Sequence, residues 1–96
     1  MGDYEDEINE KGLTAPRVTP EMVEQSIKKE DYYVFPGSTT TVCMLTLANG
    51  FTVVGESACA SPNNFDADLG KRIARDHAKQ KIWALEGYAL RNKLVA

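Results

Sequence analysis

The residues between Thr41 and Leu47 follow a two-residue period, with Cys43, Leu45 and Leu47 on one face. This period is typical of a β-strand that buries one side. The Asn49-Gly50 pair that follows is a strong signal for a tight hairpin turn. Residues 51–58 are therefore predicted to return as the partner strand.

A further strand is predicted before this hairpin. The segment Tyr32-Tyr33-Val34-Phe35 is rich in β-forming residues, and Pro36-Gly37 ends it. Gly55 lies inside the last strand, where a glycine marks a bulge or the close approach of another backbone. Together these segments predict a meander of about three antiparallel strands.

A short helix is predicted ahead of the sheet, at Thr19-Pro20-Glu21. Its threonine suits the N-cap, and its proline suits the first helical position. The helix is predicted to run to about Glu30. Lys28 and Lys29 would then lie at its C-terminal end, where positive charge is favourable.

A long helix is predicted after the loop at residues 61–64, with Asn64 or Asp66 as its N-cap and an end near Asn92. Its predicted buried stripe, at helical spacing, consists of Gly70, Ile73, Ala74, His77, Ala78, Ile82, Leu85 and Ala89. The small residues of this stripe allow very close packing, either by the sheet or by the same helix of a second subunit.

The length of this helix also bears on assembly. It extends beyond what one small sheet can cover, and Trp83 and Tyr88 lie away from the centre of the stripe. An uncovered aromatic patch usually marks an interface. We therefore expect a homo-oligomer, either a dimer or a multiple of dimers.

The whole pattern predicts an α+β fold. It consists of a short N-terminal helix, a roughly three-stranded antiparallel meander and a long C-terminal helix packed on the sheet. Residues 19–96 form this single domain. Residues 1–18 are charged and lack apolar periodicity, which predicts a flexible acidic arm.

Composition limits the environment of the chain. Its 43% hydrophobic and 26% charged residues are ordinary for a globular domain. No apolar run approaches the roughly 18 residues that span a bilayer, and the acidic N-terminus lacks the hydrophobic stretch of a signal peptide. We expect no membrane association and a cytoplasmic location.

The net charge of −3 is unevenly distributed. Acidic residues are concentrated in residues 1–11, where Lys11 is the one base, and the rest of the chain is close to neutral. The domain lacks the strongly basic footprint of a nucleic-acid-binding protein. Nucleic acid is therefore not an expected partner.

The chain offers little for catalysis. Its single imidazole, His77, lies within the apolar helical stripe and is predicted to be a core or interface residue. Cys43 and Cys59 are expected to be reduced, and with His77 they are too few for a zinc site of about four ligands. A nucleophile would need a base and an orienting group beside it. We expect no catalytic residues, no metal, no cofactor and no enzyme activity.

A basic cluster on the long helix allows two interpretations. Its members are Lys71, Arg72, Arg75, Lys79 and Lys81. They are either a solvated face or a site for phosphate, for which guanidinium forks and the start of a helix are suited. In the preceding loop, amide and carboxylate side chains suit a nucleobase edge or a ribose hydroxyl, and a phenylalanine could stack on a base.

Two stretches carry a resemblance to a known family. They are VTPEMVEQSI and LTLANGFTVVGESACASPNNFDADLGKRIARDHAKQKIWALEGY. They span about Val18 to Leu90, which is nearly the whole predicted domain. With both NGFTVVGESAC and KIWALEGY present, the chain resembles a family of small early proteins of tailed phages.

That family is similar to the phage anti-Thoeris sponges, which bind an immune signal and withhold it from the host effector without cutting it. Sponge ligands are cyclic ADP-ribose isomers and, in some members, cyclic oligonucleotides. The sponges are oligomers with pockets where subunits meet. The resemblance implies an immune-evasion protein of the host cytoplasm whose partner is a cyclic nucleotide second messenger.

The resemblance also implies a set of ligand-binding residues. Asn64 and Asp66 match the ligand-contacting Asn-x-Asp of the sponges. Arg72, Arg75 or Lys81 takes the place of their phosphate-binding arginines, and a lysine there would lose the bidentate fork. We expect substitutions of Arg75 and Lys81 to leave stability nearly unchanged, as at exposed helix positions.

Two further assignments complete this set. Phe51 and Phe65 are alternatives for the aromatic residue that stacks on the base. Lys28 and Lys29 are either solvated charges or, in a symmetric oligomer, a second anion site that would suit a cyclic oligonucleotide.

Two other classes of function stay open. A nucleic-acid-binding early phage protein would lose affinity steeply with added salt, because binding releases counterions. A protein-only inhibitor would retain a host protein and no small molecule.

Overall fold

The computed structural model describes residues 4–13 and 15–96 and confirms the predicted α+β fold. Its helices and strands are α1 (Glu5–Glu10), α2 (Pro20–Ser26), β1 (Ile27–Val34), β2 (Thr40–Leu47), β3 (Thr52–Ala58) and α3 (Ala67–Val95). The strands form one antiparallel sheet in the order β1-β2-β3. Helix α3 packs across one face of this sheet.

The predicted hairpin is confirmed. Leu47 donates its backbone N–H to the Phe51 carbonyl at 2.8 Å, and Gly50 donates to the Leu47 carbonyl at 2.9 Å. Gly50 has a φ of +89°, a conformation that glycine adopts without a steric penalty. Alternate residues of β2 are buried against α3, as the two-residue period predicts.

The core lies between the sheet and α3. It consists of Val23, Cys43, Leu45, Leu47, Val53, Ala74, Ala78 and Ile82. The buried stripe of α3 is narrower than predicted, because Ile73, His77, Leu85 and Ala89 are exposed. A three-stranded sheet covers one row of small residues and Ile82 and leaves the flanks of the helix open.

The predicted end of the first helix is wrong. α2 ends at Ser26, and the following residues form β1, in which Lys29 pairs with Thr46 and Glu30 with Leu45 of β2. The Ser26 carbonyl accepts the Ala48 N–H at 2.9 Å, which ties the end of α2 to the hairpin. Pairing with β2 outweighs the helical preference of this lysine-rich segment.

A short helix, α1, lies inside the predicted flexible arm, and the sequence analysis missed it. Arg17 donates to Glu5 and, at 3.3 Å, to Asn9, so the helix is fastened to the chain that follows it. α1 has no buried residue. Residues 1–3 and 14 of the predicted arm lie outside the described residues.

Candidate functional site

A cavity lies where the loop after β3 meets the start of α3. The loop makes one 3-10 turn at Pro62–Asn64, closed by the Phe65 N–H on the Pro62 carbonyl at 3.2 Å. Asp66 is the N-cap of α3, since its carboxylate accepts the Leu69 N–H at 3.0 Å. Of the two predicted caps, Asp66 is therefore the correct one.

The cavity has a volume of about 290 Å³. It is lined by Thr39, Ser57, Ala58, Cys59, Asn64, Phe65, Asp66, Leu69, Gly70 and Ile73. The predicted residues Asn64, Phe65 and Asp66 thus share one cavity. Sequence reasoning missed Thr39, Ser57 and Cys59, whose places depend on how the ends of β2 and β3 meet the loop.

Hydrogen bonds fix the walls of this cavity. Thr39 donates to the Cys59 carbonyl at 2.6 Å, and Ser57 donates to the Gly70 carbonyl at 2.7 Å. Within residues 4–13 and 15–96, the side-chain amide of Asn64 makes no hydrogen bond, and neither does the carboxylate oxygen of Asp66 that does not cap the helix. These two groups are available to a ligand.

Gly70 lets α3 begin close to the sheet. A Cβ atom at this position would lie 3.0 Å from Thr41 Oγ1 and 3.5 Å from Ser57 Oγ. Thr41 is completely buried, and its hydroxyl has no partner among the described residues. The small residue predicted at position 70 therefore packs against the chain's own sheet.

Phe51 does not join this cavity. It is 57% exposed and lines a different cavity of about 410 Å³ at the hairpin end of the sheet. The other lining residues there are Ser26, Leu47, Ala48, Asn49, Leu85, Glu86 and Ala89. At a rise of about 1.5 Å per residue, the two cavities are roughly 25 Å apart along α3. Of the two predicted stacking residues, Phe65 is the one beside Asn64 and Asp66.

Arg75 points away from the cavity and is not an exposed residue. Its guanidinium donates to both oxygens of Glu24, at 3.2 and 2.9 Å, and to Glu30 at 2.9 Å. Lys79 forms a further ion pair with Glu24 at 3.0 Å. Arg75 thus joins α3 to α2 and β1, and the expectation of a freely exposed side chain is wrong.

This network shifts the protonation of its members. The hydrogen bond from Arg75 lowers the pKa of Glu24 to about 2, and Lys79 acts in the same direction. A hydrogen bond from Tyr32 and one from Arg75 lower the pKa of Glu30. Burial, and then the bond to Glu30, raise the pKa of Tyr32. These carboxylates are charged at neutral pH and bind arginine.

The other two residues predicted to bind phosphate, Arg72 and Lys81, lie in different parts of the structure. Arg72 forms an exposed ion pair with Asp68 at 3.2 Å, near the start of α3. Lys81 donates to the backbone carbonyl of Val54, on the outer edge of β3. Arg72 is therefore the basic residue of the three on the helical turn beside the cavity.

Lys28 and Lys29 lie on β1 and not at a helix end. Both are exposed, and Lys29 approaches Asp31 at 3.7 Å. The favourable helix-end interaction that was predicted for them therefore does not exist.

His77 was predicted to be a core or an interface residue, and the core alternative is wrong. It is exposed, and its Nδ1 accepts the Glu56 N–H at 2.9 Å. This contact and the hydrogen bond from Lys81 to the Val54 carbonyl both engage backbone groups on the free edge of β3. Such capping protects an edge strand from pairing with another chain.

Trp83 is partly covered by the N-terminal segment. It packs against the core and lines a cavity of about 410 Å³ with Tyr4, Glu5, Ile8, Arg17, Val18 and Gly87. Tyr88, by contrast, is 73% exposed. Trp83 is therefore not part of an uncovered aromatic patch.

The fold and site define a two-layer α+β domain with a small polar cavity at the start of its long helix. Its sequence matches the model of the phage protein (N4 Gp49/phage Sf6 gene 66) family over residues 18–94. The chain belongs to this family of phage proteins. No curated protein and no solved structure matches it.

Among residues 4–13 and 15–96, no helix is long and apolar enough to cross a membrane. No group of His, Cys, Asp and Glu side chains within them could hold a metal ion.

Proposed function

We propose that this phage protein binds a cyclic nucleotide signal of the host and withholds it without cleaving it. The ligand class is a cyclic ADP-ribose isomer or a cyclic oligonucleotide. The observation that carries the proposal is the cavity that brings Asn64, Phe65 and Asp66 together at the start of α3. The sequence resemblance to the sponges supports the same ligand class.

The cavity suits one base or one ribose of such a ligand. At about 290 Å³ it is near the lower limit of small-molecule sites, so the rest of a cyclic nucleotide would extend outside. Phe65 and Ile73 offer apolar surface to the face of a base. The Asn64 amide and the free Asp66 oxygen can bond to a base edge or to ribose hydroxyls.

Phosphate groups would lie outside the cavity, near Arg72. The carboxylates of Asp66 and Asp68 occupy the positive end of the α3 dipole, so an anion is not favoured at the helix start itself. The Arg72–Asp68 pair is 68% and 81% exposed, and such surface pairs are weak. Arg72 can therefore leave Asp68 and bind phosphate with its planar fork.

Binding without cleavage is supported by the hydrogen bonds and burial of the groups that could act as a base or a nucleophile, which are His77, Cys43 and Cys59. His77 Nδ1 is engaged by the Glu56 amide, on the edge of β3, and cannot act there as a base while it accepts this bond. The Cys59 thiol donates a hydrogen bond to the Ser61 carbonyl. Burial raises the pKa of Cys43, which disfavours its thiolate.

Titration calorimetry with cyclic ADP-ribose isomers and cyclic oligonucleotides tests the proposal. Asn64→Ala and Arg72→Ala should each weaken binding by roughly ten- to a hundredfold, the value of one charge-assisted or buried hydrogen bond. Phe51→Ala is the matched control, because it removes an exposed aromatic from the other cavity. Its affinity should equal that of the parent.

The bound ligand should also be recovered intact. Protein incubated with extract of signal-activated cells, washed and heat-denatured should release a nucleotide identical to the input by chromatography. A hydrolysed product would make the protein an enzyme. Binding of nucleic acid that falls steeply with salt, or retention of a host protein without a nucleotide, would replace the proposal with one of the other two functions.

A further inference from the structure

Glu86 brings a negative charge to the cavity at the hairpin end of the sheet. This hairpin-end cavity, of about 410 Å³, lies where the turn between β2 and β3 meets the end of α2 and the C-terminal half of α3. Glu86 is half-buried and is the one charged residue among the described residues that line it. Within residues 4–13 and 15–96, its carboxylate makes no ion pair and no hydrogen bond. The charge of Glu86 is therefore available to a ligand.

The surroundings of Glu86 leave the electrostatic potential of this cavity negative. Lys28 follows the end of α2, and Arg91 and Lys93 follow Glu86 along α3. All three bases are exposed, and none forms an ion pair with Glu86 in the described part of the chain. α2 ends at the cavity with Ser26 and has no basic residue in its last turn. Its C-terminal carbonyl groups add partial negative charge, so the complementary ligand is a cation.

Phe51 gives the cavity an aromatic surface for an organic cation. Its N–H donates to Asn49 Oδ1 at 3.0 Å, and its carbonyl accepts the Leu47 N–H at 2.8 Å, so its backbone is held at the turn. Its side chain is nevertheless exposed where it lines the cavity. The face of an aromatic ring attracts an ammonium ion, most strongly where water is excluded. Leu47, Leu85 and Ala89 add apolar wall.

We propose that the hairpin-end cavity binds a small organic ammonium ion. The charged head lies at Glu86 and the ring of Phe51, and the apolar body lies against Leu85 and Ala89. The proposal goes beyond the function proposed above and does not rest on it, because the cavity with Asn64 lies at the other end of α3.

The composition of the cavity selects this class of cation. A metal ion such as Ca²⁺ takes six to eight oxygen ligands, whereas this lining offers one carboxylate beside a phenyl ring and aliphatic side chains. A lysine of a partner protein would bring its peptide groups to the rim of the cavity. A volume of about 410 Å³ is in the range of sites that enclose a whole small molecule. The expected ligand is therefore a free amine with an apolar body.

Three probes that share one body and differ in the charge of the head test the proposal on the parent protein. They are phenethylamine, which is protonated at neutral pH, the neutral phenethyl alcohol and the anionic hydrocinnamate. In an NMR titration, phenethylamine should shift the amide signals of residues 48–51 and 85–89. It should bind at least about tenfold more tightly than the alcohol, because hydrogen bonds to charged groups are the stronger ones. Hydrocinnamate should not bind.

Glu86→Gln keeps the shape of the side chain and removes its charge. It should lower the affinity for phenethylamine to that for the alcohol and leave the affinity for the alcohol unchanged, whereas a merely structural role of Glu86 would weaken both probes alike. Phe51→Leu keeps an apolar side chain and should weaken phenethylamine more than the alcohol. Glu21→Gln is the matched control, since it removes an exposed carboxylate outside the cavity and should change neither affinity.

Four results would overturn the proposal. The first is equal affinity of the parent for all three probes, which would mean that the cavity does not select a cation. The second is a Glu86→Gln variant that still prefers phenethylamine to the alcohol. The third is a set of shifts centred on the acidic residues around Arg75 instead of the hairpin. The fourth is tighter binding of a lysine-containing peptide than of phenethylamine, which would assign the cavity to a side chain of a partner protein.

Discussion

Gly55 of β3 lies directly against the backbone of Ala78 on α3. A Cβ atom at position 55 would be 2.1 Å from the Ala78 nitrogen and 2.3 Å from the Ala74 carbonyl oxygen. Both neighbours are helix backbone, which cannot rotate aside. The contact sets the spacing between α3 and the sheet.

We predict that Gly55→Ala destabilises the protein. The new methyl group must push α3 away from the sheet, and overpacking of this kind costs about 1–3 kcal/mol. Urea unfolding should show a lower midpoint than for the parent. A midpoint equal to that of the parent would mean that the helix and the sheet are not in backbone contact.

Gly87→Ala provides the matched control for this substitution. A Cβ atom at position 87, unlike one at position 55, would meet no atom of the described residues within 4 Å, and Gly87 lies inside α3. Alanine favours a helix over glycine by about 1 kcal/mol. The same substitution should therefore raise the unfolding midpoint at position 87 and lower it at position 55.

The hairpin was predictable because local sequence determines it, and the close approach at Gly55 was one of two predicted alternatives, although its partner on α3 was not predicted. The two-residue period of β2, the Asn49-Gly50 turn and a glycine inside a strand each identify a structure within a few residues. The N-cap at Asp66 was predictable as one of two choices for the same reason. The junction between the loop at residues 61–64 and the long helix therefore lies where the sequence predicts it.

What the sequence did not reveal depends on contacts between distant residues. Residues 27–30 are helical by local preference and become a strand because β2 pairs with them. Arg75 resembles any other base of α3 until the fold brings Glu24 and Glu30 to it from more than forty residues away. Local patterns carry no information about such partners.

Arg75 and Arg72 should have opposite roles. Arg75→Ala should lower the melting temperature, because it leaves Glu24 and Glu30 without their hydrogen bonds, and should leave cyclic nucleotide affinity unchanged. Arg72→Ala should lower the affinity for the cyclic nucleotide and hardly change the melting temperature, since the ion pair between Arg72 and Asp68 is exposed. Calorimetric titration and thermal melts on both variants test this contrast, which a loss of affinity in Arg75→Ala would contradict.

Glu24 should make stability depend on pH in the acid range. Its pKa is lowered in the folded state from 4.5 to about 2, so the folded state binds its proton less readily than the unfolded state. The stabilisation is complete above about pH 4.5 and is lost as the pH falls towards about 2. Stability should therefore fall with acidification across this window.

Glu24→Gln isolates this contribution. The variant should be less stable than the parent at neutral pH, and the difference in melting temperature should shrink as the pH approaches 2. Glu21→Gln is a suitable control, since Glu21 is an exposed residue on the same helix. A difference for Glu24→Gln that stays constant with pH would mean that Arg75 does not hold this carboxylate.

His77 should protect one backbone amide on the edge of β3. The Glu56 N–H donates to His77 Nδ1 at 2.9 Å, and it lies on an edge that no strand pairs with among the described residues. In His77→Ala this amide would face water, so its hydrogen exchange, followed by NMR, should become faster. Lys81→Ala removes the neighbouring contact with the Val54 carbonyl and should leave exchange at Glu56 nearly unchanged. Equal exchange at Glu56 in His77→Ala and the parent would mean that the imidazole does not cap this edge.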